Sequence, residues 1–217
     1  MARISADERR RQLTEAAFRV MAREGVAAAT TRAIAAEAGA PLASFHYCFR
    51  SKEELLRELT PALVDRMLEG AMADIKPGRD FREMLREGIH SIWSFMEATP
   101  GEQQVLYELT QYALRNPGLE ELASWQYERY YDLARDHLQA IADASDVEWA
   151  VPLPVAARML IAFFDGLALG WIVDRNSAEA RAALDGFIEG LALMARPRSA
   201  VSRRRSRRDA ARPEADR

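Results

Sequence analysis

The sequence predicts an all-α protein of about nine helices, the early ones short and the later ones long. Three observations lead there. Apolar residues recur at three- and four-residue spacing almost throughout, with no β-like alternation of useful length. Helix-start signals precede the periodic stretches, and Gly and Pro punctuate between them. The 217 residues are 49% hydrophobic and 29% charged, which suits a globular chain able to bury a sizeable core.

Ser5-Ala6-Asp7-Glu8 has the spacing of a capping box. The first helix then runs to about Glu24, with Leu13, Ala17, Val20 and Met21 on one face, and Gly25 stops it. Thr30 or Thr31 caps a short second helix ending near Ala38. Gly39 breaks it, and Pro41 leads into a third helix over 42–49. Ser51 caps the fourth, with Glu54 three residues later. That helix is expected to reach Ala73, to bend at Pro61 and to be closed by Lys76-Pro77-Gly78. The next runs over 80–98 and ends at Thr99-Pro100-Gly101; another covers 102–115 and ends at Asn116-Pro117-Gly118. A long aromatic-rich helix continues to about Ala144. Pro152 and Pro154 open a very apolar helix over 155–173, and Ser177 caps the last, which reaches about Ala195.

Charge divides the chain into three. Residues 1–52 hold nine Lys and Arg against five Asp and Glu, 53–196 hold 13 against 25, and 197–217 hold eight against three. Basic ends on an acidic body indicate that only part of the chain meets a polyanion. The last stretch, with Arg203-Arg204-Arg205-Ser206-Arg207-Arg208, has almost no apolar residue and is expected to be a disordered basic tail. The expected organisation is an N-terminal unit over 1–51, a helical body over 52–196 and the tail over 197–217. The lone cysteine, Cys48, excludes an internal disulfide and a multi-cysteine zinc site. It reads as an inert packing thiol, since no resolving thiol accompanies it. No secretory leader is evident, and the apolar run 159–173 contains Asp165 and falls short of the ~20 residues of a membrane span. The cytosol is the expected compartment, with no membrane partner.

Helix, glycine-containing turn, helix is the spacing of a helix-turn-helix unit. Ile34, Ala35 and Ala38 pack the first helix, while Phe45 and Phe49, four residues apart, anchor the second. Leu42, Ala43, Ser44, His46 and Tyr47 are left nearer the exposed side. Small residues at Ala43 and Ser44 let a helix sit deep in a major groove, and Ser44, His46 and Tyr47 supply hydrogen bonds for bases or phosphates. Thr31, Arg32 and Lys52 complete the expected contact set, with Thr31 and Lys52 at helix starts as phosphate contacts. From spacing alone, a plain three-helix bundle facing only water fits as well.

The string TTRAIAAEAGAPLASFHYCFRSKEELL resembles the signature of the tetracycline-repressor (TetR) family. Thr31, Ile34, Ala35, Ala38, Gly39, Phe45, Tyr47, Phe49, Ser51, Lys52 and Leu55 fall in step with it, over about the first 58 residues. Three positions depart: His46 stands where Tyr is usual, Cys48 where His is usual and Pro41 where Ser is common. The resemblance implies a DNA-binding transcription regulator, more a repressor than an activator, acting as a homodimer on a palindromic double-stranded DNA operator. It also implies that the body binds a small-molecule effector and dimerises through its last two helices.

The residues offer their own reasons. The 155–173 helix is apolar nearly all round, and Gly166, Gly170, Gly186 and Gly190 repeat at four-residue spacing. Glycine in a helix interior costs about 1 kcal/mol relative to alanine, which makes sense where another helix approaches closely. Phe163, Gly166, Gly170, Gly186 and Gly190 are therefore expected at a dimer interface, with close packing inside one subunit as the alternative. Aromatic residues cluster in the middle helices, as in small-molecule sites. Trp93, Tyr107, Gln111, Trp125, Tyr130 and His137 are the expected ligand contacts, and the effector is expected to be apolar or aromatic. For Asp165 the resemblance implies a structural role, because Asp-Gly-Leu is common at this place in the family. No cofactor or metal is expected: His46, His90 and His137 lie on different helices, and Glu53-Glu54 and Glu120-Glu121 read as solvated faces. With no phosphate-binding glycine loop and no Gly-x-Ser-x-Gly elbow, enzymatic activity is not expected. An all-helical carrier or enzyme with a structural N-terminal bundle is the rival reading, and a nucleoid protein without sequence preference is another.

Overall fold

The computed structural model describes residues 4–70 and 79–198. The expected helix end at Ala73, the Lys76-Pro77-Gly78 breaker and the tail beyond Arg198 lie outside the described residues. Helix α1 (Ala6–Glu24) starts as the capping box predicts, with Ser5 Oγ accepting from the Glu8 amide at 3.1 Å. Only half of the box forms, because the Glu8 carboxylate turns to Arg11 and Gln12 instead. Gly25 ends the helix at φ +85°. Thr30 is the cap of α2 (Thr31–Glu37), and Gly39 turns the chain at φ +60° into α3 (Leu42–Cys48). Helix α4 (Lys52–Gly70) continues through Pro61.

Asp80 caps α5 (Phe81–Ala98), accepting from the amides of Arg82 and Glu83. Pro100 was expected in a terminator and instead opens α6 (Pro100–Arg115), where its missing N–H has no helical partner to lose. Helix α7 (Glu120–Ala144) is the longest among the described helices, at 25 residues. The apolar helix α8 (Leu153–Asp174) exceeds the apolar run read from sequence, and at 22 residues it is long and apolar enough to cross a membrane by length and composition. Asn176, not Ser177, caps α9 (Ser177–Ala192); the Ser177 hydroxyl instead accepts from the Trp171 indole at 3.0 Å.

One feature overturns the absence of strands. β1 (Val147–Trp149) pairs antiparallel with β2 (Ala195–Pro197), Glu148 opposite Arg196. The expected helix end at Ala195 therefore moves back to Ala192, and Pro197 and Arg198 belong to the fold rather than to the tail. Arg198 donates its amide to Asp146 O at 3.0 Å and pairs with Asp143 at 2.5 Å. Trp149 is held in turn by Leu138 O at 3.1 Å and by the edge of Phe81 at 5.6 Å.

Two apolar cores meet along α7. The first joins α1–α4 to α6 and the front of α7, and runs without a break across the expected boundary at residues 51 and 52. The second joins α5, the back of α7, α8 and α9. Ile161 packs against both.

Ending the chain after Met194 should remove the strand pair and the Arg198 contacts. At about 1 kcal/mol net per hydrogen bond, the expected loss is roughly 2 kcal/mol. A Tm lower by roughly 4–8 °C in a thermal melt checks it, against a chain ending after Arg198, whose Tm should match the full length.

Candidate functional site

Helix α3 is pinned from beneath. Phe45, Cys48 and Phe49 are buried, and the Phe45 and Phe49 rings lie 5.6 Å apart. Arg10 of α1 sits over the Phe49 ring at 4.2 Å, donates to the Cys48 carbonyl and pairs with Glu58 of α4 at 2.6 Å. A cation at the carbonyl end of a short helix complements its dipole and satisfies a carbonyl that lacks a helical partner. The sequence shows Arg10 only as one charge among several in a run of arginines.

The opposite face of α3 is open. Ala43, His46 and Tyr47 are exposed, Leu42 and Ser44 half-buried. Tyr47 is 79% exposed, an aromatic ring left in solvent on a seven-residue helix that buries its other aromatic residue. Arg32 is exposed on α2 and has no ion-pair partner among the described residues, while Thr31 is half-buried behind the Thr30 cap. Much of the local positive charge is already paired: Arg19 and Arg23 hold Glu37, and Arg50 holds Glu54.

Lys52 stands elsewhere than its position at a helix start implied. Its ammonium is half-buried, donates to the Val26 carbonyl at 2.6 Å and lies 4.7 Å from the Tyr112 ring centre. Burial pushes its pKa below the ordinary lysine value. The expected phosphate contact is replaced by one within the chain. On the other side of the same residue, the Val26 amide donates to Glu108 of α6 at 2.7 Å. Gly25 is required twice: by its positive φ, and because a Cβ there would lie 3.1 Å from Glu108 Oε2.

A second site lies in the body, where the two cores meet. It is an apolar cavity of about 80 Å³ between α4, α5, α6, α7 and α8. Met67, Ile89 and Leu160 are typical of its walls; Gln103, Tyr130, His137 and Asp165 are its polar members. Of the six expected ligand contacts, Tyr130 and His137 line it. Tyr107 stands behind, its hydroxyl donating to the Asp165 carbonyl at 3.1 Å. Trp93 is fully buried against Trp171, Trp125 packs on the first core, and Gln111 is exposed beside the Val26 turn. These three are not brought to the cavity.

The Asp165 carboxylate accepts from the Tyr127 hydroxyl at 2.9 Å. No Lys, Arg or His among the described residues pairs with it. Burial raises its pKa, and the bonds from Tyr127 and Tyr107 lower it in part. His137 has its Nε2 buried without a partner, and burial pushes its pKa down, so it is neutral near pH 7. Beside Tyr130, a buried chain runs from Thr110 to Gln126 and from Gln126 to the Tyr130 hydroxyl, at 3.2 and 3.0 Å. Sequence reading gave Asp165 a structural role, whereas the structure puts it in the cavity lining, and it missed Gln126, because one amide in a polar helix carries no spacing signal.

The expected dimer residues are equally specific in placement. Gly166, Gly170, Gly186 and Gly190 are exposed, and a Cβ built on any of them meets nothing within 4 Å. Close packing inside one subunit therefore does not explain them. With Val155, Met159, Leu169 and Val173, the α8 glycines form a stripe at three- and four-residue spacing, exposed on one face. Phe163 stacks on Phe187 at 4.0 Å, joining α8 to α9 within the subunit.

Residues 13–59 match the family model described as bacterial regulatory proteins, tetR family, and residues 81–212 match the one described as BetI-type transcriptional repressor, C-terminal. The nicotine-responsive transcriptional repressor HdnoR of Paenarthrobacter nicotinovorans is 29% identical over 187 residues, covering 86% of this chain and 95% of that one. The transcriptional regulator PksA of Bacillus subtilis (strain 168) is 26% identical over 175 residues, 79% of this chain and 82% of that one. A transcriptional regulator from Rhodococcus sp. Rha1 superposes with a TM-score of 0.71 at 24% identity, over 86% of this chain and 97% of that one.

Arg32→Ala should lower the slope of DNA affinity against salt by roughly 1, whereas Lys52→Met should leave that slope unchanged. Lys52→Met should instead cost about 1–3 kcal/mol in urea unfolding, because the Val26 carbonyl loses its charged donor and keeps only the Ala29 amide at 3.3 Å. For Asp165, a pKa raised in the folded state means that the native protein binds the proton more tightly than the unfolded chain. Its burial thus destabilises the fold at neutral pH, and that penalty fades as pH falls through the raised value toward the ordinary carboxylate range. Asp165→Asn should therefore raise Tm near pH 7, with the gain shrinking on acidification, as parallel melts would show.

Proposed function

The chain belongs to the TetR family of bacterial transcriptional regulators, and from that premise we propose that it is a homodimeric repressor which leaves a palindromic operator when a small molecule fills the body cavity. The observation that carries this reading is the position of α6. Its Tyr107 bonds to α8 at the cavity wall, and its next residue, Glu108, bonds to the Val26 amide in the turn between α1 and α2. One rigid helix thus touches both the cavity and the unit that carries α3. A ligand that favours a shifted α6 biases the placement of α3, and only that differential affinity moves the equilibrium.

In this reading Ser44 and His46 meet base edges, with Ala43 and Leu42 against the groove floor, and Tyr47, Arg32 and Thr31 hold phosphates. Tyr130 and His137 contact the ligand. The HdnoR relative is named as nicotine-responsive, which supports a small organic effector here too. The exposed α8–α9 stripe supports a two-fold dimer that places two α3 helices on half-sites one DNA turn apart, about 34–36 Å. A cytoplasmic setting follows from DNA as the partner, and no step of the reading calls for catalysis.

The test is a gel shift with the protein's own upstream intergenic DNA against random competitor. A specific shift by a dimer, relieved by a small molecule, is the expected result; equal affinity for random DNA would favour a nucleoid role. Glu108→Ala should weaken the relief by the ligand at least ten-fold in the concentration required.

The glycines give a test of the dimer by sign. In a helix facing only water, Gly170→Leu or Gly190→Leu should stabilise by roughly 1 kcal/mol. With a partner helix on that face, the same changes should produce monomers in sizing chromatography and lose operator affinity.

A further inference from the structure

We propose that the body cavity selects a cation: a small, mostly apolar molecule carrying one protonated amine, whose ammonium group pairs with the Asp165 carboxylate. This rests on the reading of the chain as a ligand-responsive regulator and specifies the chemistry of its ligand.

The walls supply an apolar body site, with Met67, Ile89, Leu160 and Phe164 among them. Such a wall selects for size and shape, not for charge. Selection for charge comes from Asp165, which enters this lining from α8 with no cation among the described residues to neutralise it. A half-buried carboxylate without a counter-ion is costly unless something neutralises it, and burial accordingly raises its pKa above the ordinary carboxylate value. An ammonium group entering the cavity would do so better, replacing the lost hydration with a charge-assisted hydrogen bond.

The surroundings hold the carboxylate in place for that role. Tyr127 donates to Oδ2 at 2.9 Å, and Tyr107 fixes the backbone of the same residue at 3.1 Å. Tyr130, which lines the cavity, stands edge to face with Tyr127 at 5.7 Å between ring centres, so an aromatic ring shares the lining with the carboxylate, and rings attract cations. His137 adds a buried, unpartnered ring nitrogen to the same lining. In its neutral form it has one acceptor nitrogen, fit for a second N–H of a protonated amine. A carboxylate ligand would meet repulsion from Asp165 and no Lys or Arg in the described lining. A neutral ligand of the same shape would leave the acid uncompensated.

The test uses three probes with one aromatic body and different heads: 2-phenylethylamine, 2-phenylethanol and phenylacetate. Titration calorimetry on the purified full chain should show the amine binding at least ten-fold more tightly than the alcohol, with phenylacetate weakest. Asp165→Asn should bring the amine down to the affinity of the alcohol, in a protein whose melt at neutral pH shows it folded. Equal binding of amine and alcohol, preference for phenylacetate, no binding of any probe, or an amine preference that survives Asp165→Asn would each overturn the proposal. Gel shifts with the same probes separate it from the regulatory reading. Asp165-dependent amine binding that never releases DNA would leave the cation site standing and sink the ligand-responsive repressor. Release by neutral or anionic compounds alone would do the reverse.

Discussion

Val26 has both of its main-chain polar groups bound by side chains of the body. Its amide donates to Glu108 of α6, and its carbonyl accepts from Lys52 of α4. A turn between two helices normally gives these groups to water or to its own backbone. Here they fix the α1–α2 turn against two other helices, and Gly25 lets the chain come close enough, since a side chain at that point would crowd the Glu108 carboxylate. Because α2 follows directly from this turn and α3 from α2, the aim of the exposed α3 face depends on where α4 and α6 stand. The first core reinforces the same dependence, because it runs continuously from Leu13 to Tyr130 instead of closing around the first three helices.

The cavity occupies the other end of that dependence. It opens where the two cores meet, with Met67 and Tyr130 from the first and Leu85, Ile89 and Leu138 from the second among its walls. Close packing is hardest to satisfy along such a seam, since residues on both sides are committed to their own cluster. In the proposed mechanism a molecule lodged there would act as a wedge between the two cores. It would not have to deform either core, only to change their relative placement, and α4 and α6 are both in contact with the cavity and with the turn.

The helices were legible because their ends carry local chemistry. Ser5, Thr30, Ser51 and Asp80 accept from amides two or three residues on, and this is written in consecutive residues. The strand pair was not legible: each strand is three residues long, and the two come from stretches separated by α8 and α9. Lys52 was misplaced for a related reason. A lysine at a helix start looks solvent-bound until the turn 26 residues earlier is seen to arrive beneath it. The exposed α3 residues and the glycine stripe could be read because both depend on helical period alone. The cavity could not, because its lining comes from five helices: the α5 and α7 members recur at helical period as any buried stripe does, and nothing within one helix distinguishes a cavity wall from a filled core.

Helix α8 ties the ligand question to the dimer question. Leu160, Phe164 and Asp165 face the cavity, while Gly166, Leu169 and Gly170 lie on the stripe open to a second copy. Adjacent residues on a helix point about 100° apart, so one helix serves two surfaces without conflict. It also means that neither surface is independent of the other. A rigid helix displaced by what binds at Asp165 carries Gly166 with it, and in a two-fold dimer each such shift occurs twice about one axis. In the proposed dimer the separation of two DNA-reading helices would then be altered from the body through two routes, α4 and α6 to the turn within each subunit and α8 to the interface between them. In that dimer the close approach that glycine permits would make the second route stiff. Helices in near-backbone contact have little freedom to slide without losing packing on both sides.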